Sequence, residues 1–189
     1  LEVVRKDKKN FDIVLLTANN NYKKLIEQAK EFKVKNVLIK NKKFYKKVKN
    51  SLNSTKVYSG DTSIKKIISG KLDYTMSAIV GLAGLQPTID VIKFSKILAI
   101  ANKETIICGW EILSKVIKKY KTKIVPIDSE HFSIMELTKG MSNEEIEEII
   151  ITASGGPFLN KSIKALKKVK PKQAIKHPNW KMGKKISVD

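Results

Sequence analysis

Ile97-Leu98-Ala99-Ile100-Ala101, followed at once by Asn102-Lys103-Glu104 and an amphipathic run from Thr105 to Tyr120, decides the fold. A short apolar run with a polar boundary matches a strand buried on both faces, as strands of a parallel sheet are. The helical run leads to Lys123-Ile124-Val125-Pro126, a second strand. A strand, a crossover helix and another strand make neighbours that lie parallel.

The same alternation extends towards the N-terminus. Asp12-Ile13-Val14-Leu15-Leu16-Thr17 predicts a strand, and Lys23 to Phe32 a helix, with Leu25, Ile26, Ala29 and Phe32 on one face. Asn36-Val37-Leu38-Ile39 and Lys56-Val57-Tyr58 predict strands on either side of a lysine-rich helix from Lys42 to Leu52. Asp61 or Thr62 is placed to cap a helix carrying Ile64, Ile67 and Ile68. Thr75-Met76-Ser77-Ala78-Ile79-Val80 predicts a strand, with a helix around Thr88 to Ser95. Repetition of this unit implies an α/β fold, a doubly wound parallel sheet with helices on both faces. Such sheets bind ligands beyond the carboxyl ends of their strands. That singles out Asn19-Asn20-Asn21, Gly81, Asn102-Lys103-Glu104 and Asp128-Ser129-Glu130.

The pattern changes beyond Met141. Ser142-Asn143-Glu144-Glu145 matches a capping box, whereas the β-branched run Ile146 to Thr152 favours an extended chain, and a strand is predicted over 147–152. Pro157, Pro171 and Pro178 predict a loop-rich tail with short helices. The expected domains are 1–130 and the start of an α+β domain over 131–189.

The formal charge of +20 comes almost wholly from lysine, since Arg5 is the only arginine. The lysines are spread along the chain and lack arginine's planar fork, which argues against a nucleic-acid-binding module. A field of this sign still favours anionic ligands. Cys108 is the sole cysteine, which excludes an internal disulfide, and two histidines exclude a histidine-rich metal site. No apolar run approaches the roughly 20 residues of a membrane-spanning helix. The chain opens on Leu1 without an initiator Met, as an internal stretch of a longer protein does.

Several side chains could carry chemistry. Asp128 and Glu130, at i and i+2 after a strand, share a side if the extended geometry persists, and carboxylates suit Mg²⁺ or Mn²⁺. An Asp-x-Glu alone is equally a solvated turn. Lys103 is placed to hold a substrate oxygen, with Asn102 and Glu104 beside it for ribose hydroxyls, or all three are surface residues. Thr152-Ala153-Ser154-Gly155-Gly156-Pro157 offers a hydroxyl and backbone N–H groups to a phosphate, or is an ordinary turn. His177-Pro178-Asn179-Trp180 admits an extended turn, a core anchor or a lid.

Taken in order, five segments resemble the 1-deoxy-D-xylulose 5-phosphate reductoisomerase family. They are Ala78-Ile79-Val80-Gly81-Leu82-Ala83-Gly84-Leu85-Gln86-Pro87-Thr88, Ala101-Asn102-Lys103-Glu104, Pro126-Ile127-Asp128-Ser129-Glu130-His131, Thr152 to Phe158, and His177 to Asp189. The resemblance implies a Rossmann-like domain followed by the start of a catalytic domain. It also implies an NADPH-dependent, divalent-metal-dependent conversion of 1-deoxy-D-xylulose 5-phosphate to 2-C-methyl-D-erythritol 4-phosphate. Asp128 and Glu130 are then metal ligands for Mg²⁺ or Mn²⁺. Lys103, Ser129, Glu130, Ser154 and His177 contact substrate, and Trp180 belongs to a closing flap. Asn19, Asn20, Asn21, Asn102, Glu104, Met182 and Gly183 border NADPH. A homodimer is implied for the full-length protein.

The chain departs from the family pattern in four places. The glycine-rich turn that receives the NADPH pyrophosphate belongs before Leu1, and a third metal carboxylate belongs beyond Asp189, so the stretch alone is expected to be inactive. Asn20 stands where the family usually carries a basic residue useful for the NADPH 2′-phosphate. Gly109-Trp110 replaces residues that are commonly smaller or differently ordered. The rival reading is a metal-independent NAD(P)-dependent dehydrogenase. Lysine- and asparagine-rich usage suits a plastid-like organelle of the apicoplast type, with bacterial cytoplasm as the alternative.

Overall fold

A computed structural model of the chain describes residues 1–152 and 155–178. It divides into two compact units, Leu1–Leu137 and Thr138–Asp189. The first opens on α1 (Glu2–Lys6) and continues through β1 (Leu15–Ala18), α2 (Tyr22–Glu31), β2 (Asn36–Ile39), α3 (Tyr45–Ser51) and β3 (Lys56–Ser59). β4 (Leu72–Ser77), α4 (Leu85–Ile92), β5 (Ser95–Ile100), α5 (Lys103–Tyr120), β6 (Lys123–Pro126) and α6 (Ser129–Leu137) complete it.

All strand pairs are parallel, in the orders β1-β2-β3 and β4-β5-β6. β2 shows why an unbroken apolar run is required. Val37 and Ile39 face one way, onto Leu25 and Ala29 of α2 and Val48 of α3. Leu38 faces the other way, into a core with Ile64, Ile67, Ile68, Ile92, Leu98, Ile100 and Leu113. That second core also takes in Leu15 and Tyr58, so residues of both sheets pack in it. Leu98 and Leu113 are fully buried, and truncating either to Ala is expected to cost about 2–5 kcal/mol.

The helix ends follow local chemistry. Asn21 Oδ1 accepts from the Lys24 N–H at 3.1 Å and starts α2. Asn102 caps α5, Glu104 lies in its first turn and Lys118 and Lys119 in its last, the charge order that the helix dipole favours. Lys121, with φ of 54°, ends it in the left-handed conformation.

The α/β fold expected of the sequence is present, and three local expectations change. Its strands form two three-stranded parallel sheets; among the described residues β1 and β4 are edge strands, with no strand pairing them to each other. Thr62 and Asp61 do not cap a helix, because the Thr62 hydroxyl donates to the Ser59 carbonyl and Asp61 pairs with Lys40. Ser63 instead caps one 3-10 turn, Ile64–Lys66. The helix predicted around Thr88 starts at Leu85, since Pro87 sits in its first turn, where a missing N–H costs little.

The third change lies in the second unit. Its capping box forms, with the Ser142 N–H donating to Glu145 Oε2 at 2.6 Å, and opens a single 3-10 turn, Asn143–Glu145. No strand follows over 147–152. Ile149, Ile150 and Ile151 are exposed; β-branched residues favour an extended chain, but a strand also needs a partner, and none of the described residues pairs with them. The described residues of this unit also form a 3-10 turn at Gly156–Phe158, α7 (Ile163–Leu166) and α8 (Pro171–Ala174).

Candidate active site

The loops after β4 and β5 are joined by one buried side chain. Asn102 is 3% exposed. Its Nδ2 donates to the carbonyls of Ile79 and of Gly81, the latter at 2.8 Å, while its Oδ1 accepts from the Thr105 N–H at 3.1 Å. Both amide hydrogens and the oxygen are therefore used inside the protein. Asn102 ties the loop after β4 to the start of α5 instead of offering its side chain outward.

Gly81 lies at φ 75° and ψ −172°, a region that only glycine enters readily. A Cβ on Gly84 would collide with Asn102 Nδ2 and lie 2.6 Å from the Ile79 carbonyl. The small residues of Gly81-Leu82-Ala83-Gly84 thus admit the Asn102 amide. Lys103 and Glu104 follow as the first two residues of α5, both partly buried.

Asp128 ends the crossover from β6. Its Oδ1 accepts from the His131 backbone N–H at 3.1 Å and stands 2.6 Å from His131 Nδ1. Burial pushes the Asp128 carboxyl up, but the ring and backbone hydrogen bonds of His131 together outweigh it, and the carboxyl sits below its ordinary range. Oδ2 is buried and has no hydrogen-bond partner among the described residues. A buried carboxylate oxygen left with open lone pairs is costly unless something else completes it.

Glu130 is exposed and its Oε2 accepts from the Ser129 hydroxyl at 3.1 Å. The extended geometry expected for Asp128 and Glu130 does not persist. α6 begins at Ser129, so i and i+2 no longer share a face as they would along a strand. Among the described residues no group of three or more His, Cys, Asp or Glu side chains is arranged to hold a metal ion.

Asn19, Asn20 and Asn21 follow β1. Asn21 is spent as the α2 cap, and Asn20 Oδ1 accepts from Asn41 Nδ2 at 2.8 Å. In the second unit Gly155 adopts φ 77°. Gly156 and Pro157 line one open cleft of about 440 Å³ together with Lys176 and Pro178, bringing the glycine turn beside the His-Pro segment. His177 is partly buried. Ser154, Trp180, Met182 and Gly183 lie outside the described residues.

Sequence comparison decides the family. A profile described as 1-deoxy-D-xylulose 5-phosphate reductoisomerase matches residues 1–110, and that of the C-terminal domain of the same enzyme matches residues 124–189. The chain belongs to this family.

The reductoisomerase of Pelagibacter ubique is 51% identical over the whole chain, which covers 50% of that protein. That of Caldanaerobacter subterraneus subsp. tengcongensis is 42% identical, again over the whole chain and 50% of the relative. The solved reductoisomerase of Zymomonas mobilis in complex with NADPH superimposes with a TM-score of 0.86 at 31% identity, over 92% of this chain and 47% of that one. A second, in complex with NADPH, fosmidomycin and magnesium, gives 0.82 at 32% identity, over 98% of this chain and 49% of that one. The chain thus spans about half the length of the reductoisomerases it matches.

From the sequence alone His131 has no role of its own, although it stands in the quoted Pro126–His131 segment. Asp at the cap and His three positions on is the spacing that lets a ring reach back to a capping carboxylate, so the signal was present in Asp128-Ser129-Glu130-His131. The donor set fits a hard divalent cation in part. Asp128 Oδ2 is an uncommitted buried oxygen and Glu130 adds a second carboxylate on the same short turn.

Proposed function

We propose that this chain is the cofactor-binding and metal-binding portion of an enzyme that isomerises and reduces 1-deoxy-D-xylulose 5-phosphate to 2-C-methyl-D-erythritol 4-phosphate. The observation that carries the reading is the buried Asp128 Oδ2, without a hydrogen-bond partner among the described residues at a strand end, in a chain of this family. When bound, a divalent ion supplies Lewis acidity to the ketose oxygens, and NADPH supplies the hydride.

The chain's own residues prepare that chemistry. His131 fixes the Asp128 carboxylate through Oδ1, leaving Oδ2 for the cation, and Glu130 offers a second oxygen ligand. Ser129 supplies a hydroxyl, and Lys103 a cation at the start of α5 to face a substrate oxygen. Asn102 keeps the loop after β4 against α5, so that its backbone borders the cofactor with Asn19, Asn20, Asn21 and Glu104. Ser154 and His177 bind substrate, Trp180 closes over it to exclude water, Met182 lies close to the nicotinamide and Gly183 borders NADPH. The full-length protein acts as a homodimer. The bacterial sources of the relatives favour bacterial cytoplasm over a plastid-like organelle.

The test is NADPH oxidation by the full-length protein with 1-deoxy-D-xylulose 5-phosphate, with the product identified by mass spectrometry. Turnover abolished by a chelator and restored by Mg²⁺ or Mn²⁺ is expected. Chelator-insensitive turnover would favour the metal-independent dehydrogenase.

A further inference from the structure

The loops beyond β1, β2 and β3 share one end of their sheet, because the three strands are parallel. In open parallel sheets an acidic residue near such a strand end hydrogen-bonds a ribose 2′-hydroxyl, whereas a basic one accommodates a 2′-phosphate. Asn19-Asn20-Asn21 offers neither charge.

The neighbouring loop is stitched to it. Asn41 Nδ2 donates to Asn20 Oδ1 at 2.8 Å, and the Asn41 backbone N–H donates to the Asn19 carbonyl at 3.1 Å. Asn41 Oδ1 in turn accepts from the Lys43 N–H at 3.0 Å, fixing the turn that carries Lys42 and Lys43. Lys40 is paired with Asp61. The Lys42 stem lies across Gly60, where a Cβ would collide with it. The loops after β2 and β3 thus carry three lysines, Lys40, Lys42 and Lys43, against one carboxylate, Asp61, an excess of two positive charges beside an uncharged asparagine triplet. A phosphate monoester near neutral pH carries roughly −1.5 to −2.

We propose that Lys42 and Lys43, on the loop after β2, form the cationic seat for the 2′-phosphate of the nicotinamide cofactor. The seat makes the protein selective for the phosphorylated dinucleotide although the loop after β1 is neutral. This inference rests on the reductoisomerase reading above, and it assigns the selecting charge to a loop different from the one where a basic residue is usual.

The test is calorimetric binding of NADP⁺ and NAD⁺ to the full-length protein, with thermal unfolding as a check on each variant. Lys42→Ala with Lys43→Ala is expected to weaken NADP⁺ by about tenfold or more, as loss of charge-assisted hydrogen bonds does, while NAD⁺ changes by less than about twofold. The salt dependence of NADP⁺ binding falls with it. The paired Arg substitutions at both positions keep the selectivity. Asp61→Asn, an independent arm of opposite sign, tightens NADP⁺ alone.

Equal weakening of both dinucleotides, or unchanged NADP⁺ binding in the Ala pair, overturns the assignment, as does Asp61→Asn without selective tightening. Those results leave the reductoisomerase reading standing if the wild type turns over with NADPH; a wild type without NADPH-dependent turnover contradicts that reading itself.

Discussion

Asn102 Nδ2 donates to the Gly81 carbonyl at 2.8 Å, so the side chain that starts α5 also holds the loop leaving β4. Because the residue is buried, its removal strands the Gly81 and Ile79 carbonyls and the Thr105 N–H. Asn102→Ala is expected to lower unfolding free energy by about 2–4 kcal/mol, the sum of a lost cap and unsatisfied buried groups. Asn102→Asp retains the cap but turns a carboxylate oxygen towards the two carbonyls, and is expected to destabilise at least as much. Urea unfolding checks both; a loss under about 0.5 kcal/mol for either would contradict the role.

Gly109 belongs to the α4–α5 contact. A Cβ there would collide with Leu85 Cδ1. Gly109→Ala gains about 1 kcal/mol of helix propensity, against roughly 1–3 kcal/mol for overpacking. A net loss is expected, and Leu85→Ala in the same protein should relieve part of it. A double-mutant cycle reads the coupling directly; additive effects would show that the two do not touch.

Arg5 clasps Glu31 through two hydrogen bonds, Nε to Oε1 at 2.5 Å and Nη2 to Oε2 at 2.8 Å. The hydrogen bond from Arg5 holds the Glu31 carboxyl below its ordinary range. A depressed folded value gives stability that is present above the unfolded carboxylate range and is lost as pH falls through the folded value. Glu31→Gln should therefore lower the thermal midpoint slightly near neutral pH and match wild type in acid. A difference that stays constant with pH would assign the effect to something other than this ionisation.

The β-α order was legible because buried parallel strands leave unbroken apolar runs, and Asn36–Ile39 and Lys123–Pro126 lie where the pattern put them. Pairing was less legible. Nothing in Glu147 to Thr152 says whether a partner strand is present, and β-branched residues stay extended either way. The shared face expected of Asp128 and Glu130 was less legible for a related reason. Alternation along a strand holds only while the strand lasts, and the capping bond from His131 to Asp128 turns the chain into α6 first. Asn102 was legible as a polar residue at a strand end. Its inward-facing amide was not, since that depends on Gly84 being small enough to admit it.

His131 is expected to act through Asp128. In the full-length protein His131→Ala frees Asp128 Oδ1 and removes the ring that orients it, so the metal concentration for half-maximal turnover should rise by about 10- to 100-fold, as loss of outer-shell partners does. His131→Asn should recover part of that loss. Unchanged metal dependence in His131→Ala would mean that the 2.6 Å contact serves the fold alone.

The proposed role of Asp128 is to place an oxygen on the catalytic cation. Metal titration of NADPH-dependent turnover in full-length Asp128→Asn, beside wild type, tests it most directly. The expected result is no turnover at any Mg²⁺ or Mn²⁺ concentration, with NADPH affinity and the unfolding midpoint close to wild type. A wild-type metal-response curve in Asp128→Asn would contradict the account.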